Sequence, residues 1–222
     1  MTAATLDSGA ALGARYTGKT VLAIGAHPDD LEIGVGGALA RFARNGARTV
    51  MAVVSIPSDY ETRLAEAREG AAIIGAELRV LMDGGCRRVE DLKSYELVAL
   101  LDRLVNEVQP AVVITHGTAD FHRDHLIVHN ACLPTQRLRY FDFFCFHPAM
   151  CRPVPTSFHP RAYVDVSDTI DTKMQAIMAH ESQFGWRRLS TADMYRELAH
   201  IQGRMVGVEY AEGLDVMRMM VG

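Results

Sequence analysis

The segment Ala26-His27-Pro28-Asp29-Asp30-Leu31-Glu32 sets one imidazole beside two adjacent carboxylates. An imidazole and a carboxylate together suit Zn2+ or a similar divalent ion. A cation there would also offset the mutual repulsion of the two aspartates. A plainer reading is equally open at this point: aspartates before a helix cap it and complement its positive dipole end. A second cluster runs from His116 through Asp120, His122, Asp124 and His125 to His129 and holds four of the chain's nine histidines. His122 and His125 are three residues apart and share a face on a helical turn. Asp120 and Asp124 are placed to orient the rings. His129 reads as a core or helix-surface histidine, and the role of His116 is left open.

Both clusters follow short apolar runs, and those runs must position them. The runs are 21–26, 49–55, 78–82, 111–115, 141–146 and 162–166, rich in β-branched or aromatic types and without polar alternation. Such runs suit strands buried on both faces. Helical patterns occupy 33–45, 60–75, 94–109, 124–138, 168–182 and 191–206, with Gly46, Gly75 and Pro110 as stop signals. Alternating β and α units predict an α/β domain with a mostly parallel sheet and helices on both faces. In the strand order 3-2-1-4-5, strands one and four are neighbours at the switch point, where ligands bind. The two clusters then meet in one crevice, which favours the metal site over the cap. No GxGxxG follows the first strand, and paired aspartates repel a pyrophosphate, so a nucleotide cofactor is not expected.

The chain has 222 residues, a formal charge of −4, 49% hydrophobic and 23% charged residues. This balance argues against a nucleic-acid partner and against an anionic membrane surface. No signal peptide or membrane-length apolar run is evident. The four cysteines, at 86, 132, 145 and 151, form no CxxC pair and read as free thiols. A cytoplasmic enzyme is expected. The stretch 147–160, with four prolines, reads as a stiffened surface loop or a pocket wall.

These residues resemble the LmbE-like, or PIG-L-like, family of N-deacetylases. The AHPDD-x-E of that family reads here as Ala26 to Glu32, and its D-x-H-x-DH as Asp120, His122, Asp124 and His125. Two weaker features are an Arg-x-x-Glu at Arg63 and Glu66, and a late Lys173 with His180-Glu181-Ser182-Gln183. Arg123 stands where the family often has proline. The resemblance implies a Rossmann-like three-layer fold, a zinc cofactor, and removal of an acetyl group from an N-acetylglucosamine unit. It implies His27, Asp30 and His125 as metal ligands, Asp29 as base, and His122, oriented by Asp124, as acid or oxyanion stabiliser. It assigns Arg63 and Glu66 to the substrate, a small N-acetylated amino-sugar glycoside, although a solvated surface pair is the alternative. Residues 1–18 read as an N-terminal arm, open to flexibility, and 19–222 as a single deacetylase domain. A homo-oligomer is compatible with the resemblance.

Three protein ligands would leave zinc an open position for water, whose pKa such sites bring from about 15.7 towards about 7. The competing readings are another metal-assisted hydrolase, acting on a phosphoester or a C–O bond, and a metal-binding protein without catalysis. Asp29 speaks against the last, because a pure binder needs no spare base. Lys173 reads as a surface residue, His180 as a helix end and Trp186 as core or a sugar platform.

Overall fold

The computed structural model describes residues 8–146, 158–185 and 188–221, with side chains from Leu12 onward except at 188–192. Trp186 and most of the proline-rich stretch lie outside them. Six strands form where the apolar runs lie: β1 (Thr20–Gly25), β2 (Arg48–Val53), β3 (Glu77–Val80), β4 (Val112–His116), β5 (Asp142–Phe146) and β6 (Ala162–Asp165). A seventh, β7 (Ala211–Arg218), joins them, and the sheet order is β3-β2-β1-β4-β5-β7-β6. The first five strands are parallel, whereas β7 runs antiparallel between β5 and β6.

The helices are α1 (Ser8–Arg15), α2 (Asp30–Arg44), α3 (Tyr60–Ile74), α4 (Ser94–Val108), α5 (Arg123–Cys132), α6 (Ile170–Met178), α7 (Glu181–Phe184) and α8 (Arg188–Val206). Two expected helices are shorter than their patterns. The run 124–138 yields α5 and then a 3-10 turn over Leu133–Arg137, because Pro134 has no N–H to continue the ladder. The run 168–182 breaks into α6 and α7 around Ala179 and His180. The stretch read as an arm contains α1, and Tyr16 just after it is buried, with its hydroxyl donating to Asp142 at 2.8 Å.

Alternation along each strand feeds two cores. Val21 and Ala23 of β1 face Leu31, Leu39 and Phe42 of α2, with Ala71 and Ile74 of α3. Leu22 and Ile24 face Leu97, Leu101 and Val105 of α4, with Val128 of α5. Each fully buried Leu, Ile or Phe side chain contributes about 1.5–3 kcal/mol relative to exposure. The result is a three-layer α/β sandwich. Ile24 is registered with Thr115, and Gly25 with Val53, so the loops after β1 and β4 leave the same edge side by side.

Candidate active site

The loop after β1 turns tightly. A Cβ on Gly25 would sit 3.1 Å from Leu31 and 3.2 Å from Asp30, so glycine lets α2 fold back onto the strand end. Asp29 then adopts φ 89°, a left-handed conformation that costs a non-glycine residue about 1–3 kcal/mol. The aspartates are not helix caps. Asp29, at the cap position, makes no side-chain cap bond, and Asp30 Oδ2 accepts the His27 N–H at 2.8 Å. The Asp29 side chain lines the cleft instead.

Asp30 lies among imidazoles. His125 Nε2 is 3.2 Å from its Oδ1, and His116 Nε2 and His27 Nδ1 are 3.3 and 3.8 Å from its Oδ2. His125 is fixed from behind, its Nδ1 2.6 Å from Asp120 Oδ2. Rings of His116 and His125 stack at 3.9 Å, and those of His125 and His122 at 4.4 Å. Two triads of donor atoms lie within 4.8 Å of one another, His27–His122–His125 and Asp30–His116–His125, with His125 common to both. The expected ligands divide between these groups: His27 belongs to one, Asp30 to the other and His125 to both, with His27 Nδ1 3.8 Å and His125 Nε2 3.2 Å from Asp30. An acidic, imidazole-rich, largely buried donor set fits a borderline divalent cation such as zinc.

The electrostatics follow from burial and neighbours. Burial and then adjacent Asp30 push the Asp29 carboxyl up to about 7. Asp30 is also buried, but His116 and His125 hold it well below the usual carboxylate range. Burial works against the charged form of His125, yet Asp120 and Asp30 raise it to about 10. Burial takes His116 down to about 4, and its Nε2 accepts the Ala26 N–H at 2.9 Å. That bond ties the end of β1 to β4. It gives His116 a structural task beside its closeness to Asp30.

His122 caps α5, with its Nδ1 accepting the Asp124 N–H at 3.3 Å. Its Nε2 therefore carries the proton. The orientation expected from the Asp124 carboxylate is corrected here. That carboxylate lies 3.0 Å from His27 Nε2, and Asp124 meets His122 through its backbone alone. His129 bonds the His116 carbonyl at 2.8 Å and is a core residue.

Arg63 is buried, donates to the Pro28 carbonyl at 3.2 Å and lies 3.8 Å from Asp29 Oδ2. Glu66 does not line the cleft. Its carboxylate accepts the Ser182 N–H at 2.6 Å and hydroxyl at 2.7 Å, anchoring α7. His180 is fully buried and 3.1 Å from Glu32. Burial disfavours its charge, but Glu32, then Asp29 and Glu66, hold it above its ordinary value.

Lys173 is buried, contrary to the surface reading. Val35, at φ −145°, breaks α2 into two parts. Lys173 Nζ donates to the Ile33 carbonyl at 2.6 Å and to Glu212 Oε1 at 2.5 Å, while Glu212 accepts the N–H groups of Gly37 at 3.1 Å and Ala38 at 2.7 Å. The pair therefore caps both halves of the broken helix and fixes the turn bearing Asp30.

The cleft holds about 570 Å³ and is lined by His27, Asp29, Asp30, His122 and His125, with Ile33, Phe184 and Tyr195 as an apolar wall. Such a volume suits a small ligand. Tyr195, Arg88 and Gln183 also line it. Sequence reading passed over Tyr195 and Arg88, which carry no motif and reach the cleft only through the tertiary fold.

A mostly parallel sheet with a His–Asp cluster beyond the ends of β1 and β4 defines an α/β protein with its candidate site at that edge. The profile of the PIG-L family, described as GlcNAc-PI de-N-acetylase, matches residues 22–135, and the chain belongs to this family. It is 30% identical over 198 residues to the uncharacterized deacetylase YaiS of Escherichia coli, covering 80% of this chain and 98% of that protein. It is 25% identical over 235 residues to diacetylchitobiose deacetylase of Thermococcus kodakarensis, covering 88% and 82%. Among solved structures, the conserved protein TT1542 of Thermus thermophilus superposes with a TM-score of 0.79 at 24% identity, over 92% and 97% of the chains. GalB, the 4-carboxy-2-hydroxymuconate hydratase of Pseudomonas putida, superposes at 0.75 and 21% identity, over 92% and 98%. The fold alone therefore does not fix the reaction.

Proposed function

We propose that this chain is a zinc-dependent hydrolase that removes the N-acetyl group from an N-acetylglucosamine-type sugar in a small glycoside. The observation that carries the reading is the meeting of His27, Asp30 and His125 beside the strained, uncapped Asp29 in one cleft. His27, Asp30 and His125 would hold the ion. When bound, zinc supplies Lewis-acid polarisation of the amide and an activated water. Asp29 takes the proton of the attacking water and returns it to the leaving amine. Its burial and its neighbour Asp30 favour the protonated form between these transfers. The Nε2–H of His122 donates to the carbonyl oxygen as charge develops there. Arg63 braces the 28–29 loop and keeps the Asp29 carboxylate in place.

Two relatives bear deacetylase names, which supports amide hydrolysis over phosphoester or C–O chemistry. No helix among the described residues is long and apolar enough to cross a membrane, and a cytoplasmic site of action fits this reading. The test is release of free amine from methyl N-acetylglucosaminide by zinc-loaded protein. Zinc bound without amine release would favour the competing hydrolase or binder.

A further inference from the structure

We infer that Gln183 accepts a hydrogen bond from a ring hydroxyl of the substrate's sugar, and that Glu66 and Ser182 hold its amide in the orientation to do so. The inference rests on the deacetylase reading. It gives Glu66 a part in substrate recognition although its carboxylate lies outside the cleft. Gln183 and Phe184 line the cleft from α7, beside Ile33 and Tyr195. Their backbone is fixed, because the N–H groups of both donate to the His180 carbonyl at 3.0 Å and His180 is fully buried. The Phe184 ring meets that of Tyr195 edge-on, with centroids 6.4 Å apart.

The orientation of the amide follows from a relay of three bonds. The buried Glu66 carboxylate can only accept, and Ser182 supplies both its donors, the N–H to Oε1 at 2.6 Å and the hydroxyl to Oε2 at 2.7 Å. A hydroxyl has a single proton, so Ser182 Oγ has only acceptor capacity left. Gln183 Nε2 lies 3.1 Å from that oxygen and donates to it. Turning the amide over would set two oxygens against each other there, so the network fixes which end is which. Gln183 Oε1 is therefore turned away from Ser182 as an acceptor, on a wall otherwise formed by Ile33, Phe184 and Tyr195. A few placed polar groups on an apolar wall are what orients a ligand in a pocket. A sugar matches both parts, with its carbon–hydrogen face against the two aromatic rings and a hydroxyl at its edge for the amide oxygen. An N-acetylated amine without hydroxyls would leave that acceptor unmet. Gln183 is then the residue that touches substrate, and Glu66 and Ser182 are positioning residues.

The experiment uses methyl N-acetylglucosaminide and its analogues deoxygenated singly at the third, fourth or sixth carbon, on zinc-loaded enzyme. Turnover is followed by amine release and binding by calorimetry. In wild type one analogue should be weaker than the parent by about 3–10-fold, the range of a neutral hydrogen bond. Gln183→Leu, which keeps the side-chain bulk, should bring the parent down to that analogue and erase the difference between them. Ser182→Ala tests the same contact without altering residue 183 and should shrink the same difference. Adding it to Gln183→Leu should cause no further loss of discrimination, because the two act through one bond. A Ser182 that merely anchors α7 would instead weaken every probe alike, and that result would overturn the relay. Discrimination in binding that vanishes in Gln183→Leu, without amine release from any probe, would uphold the contact and sink the deacetylase reading. Amine release with no analogue distinguished, or with a distinction that survives Gln183→Leu, would keep that reading and overturn the contact. Binding of no probe would overturn both.

Discussion

Lys173→Met tests whether the broken helix α2 is held by a buried ion pair. The substitution keeps most of the packed stem and deletes the ammonium. Glu212, only 3% exposed, would retain the Gly37 and Ala38 N–H groups and lose its counter-ion, and the Ile33 carbonyl would lose its Nζ donor. Removing one partner of a buried pair costs about 3–5 kcal/mol. At about 2–4 °C per kcal/mol for a domain of this size, Tm should fall by roughly 6–20 °C. Adding Glu212→Gln removes the stranded charge. The double variant should therefore lose less than the sum of the singles, with about 2–3 kcal/mol of coupling. Urea unfolding of wild type, both singles and the double closes the cycle. A Lys173→Met cost below about 1 kcal/mol, or strictly additive effects, would refute the brace. Because the brace fixes the turn bearing Asp30, the folded single variant should also bind zinc more weakly.

Further outcomes follow from other contacts. Asp29→Asn should keep its zinc and lower kcat by roughly 10²–10⁴-fold, as expected of a lost general base. Asp30→Asn should lose zinc affinity and be rescued in part by excess zinc; metal content across a zinc titration separates the two, and loss of metal from Asp29→Asn would break the division of labour. Asp142 is buried, which works against its charge, but bonds from Tyr16, the Met220 N–H and Arg15 hold its carboxyl below the ordinary range. A depressed carboxylate stabilises above the unfolded pKa of about 3.9 and loses that effect as pH falls through the lower folded value. Asp142→Asn should therefore cost about 2 kcal/mol at neutral pH and progressively less in acid, read by urea unfolding at both; a cost that does not change with pH would contradict this. A Cβ on Gly34 would lie 2.3 Å from the Phe146 ring, so Gly34→Ala should destabilise by about 1–3 kcal/mol. At Gly36 the nearest atom is 3.4 Å away, and Gly36→Ala should be milder, with both variants read by urea unfolding.

The sheet and the crevice were legible because buried parallel strands must be uniformly apolar. The runs at 21–26 and 111–115 thus announced both strands and the loops at their ends. β7 was not legible: Glu212, Gly213 and Asp215 interrupt any apolar run, and the strand is held by pairing between β5 and β6. Glu212 is polar because it caps the break in α2, a reason visible only in three dimensions. The same holds for Lys173 and Glu66, whose surface-like types conceal buried partners in distant segments. The histidines were readable as a cluster. Which carboxylate serves which ring was not, since the family resemblance assigned Asp124 to His122 while the fold delivers it to His27. Tyr195 reaches the cleft from α8 near the far end of the chain, with no local pattern to mark it.

The most direct test is a zinc titration into metal-free protein, following amine release from an N-acetylglucosaminide. Wild type should show no rate without metal and a rise that saturates at one zinc per chain. The triple variant lacking His27, Asp30 and His125 should stay inactive throughout. Full activity in the metal-free protein, or a zinc-dependent rate in the triple variant equal to wild type, would contradict zinc catalysis at this site.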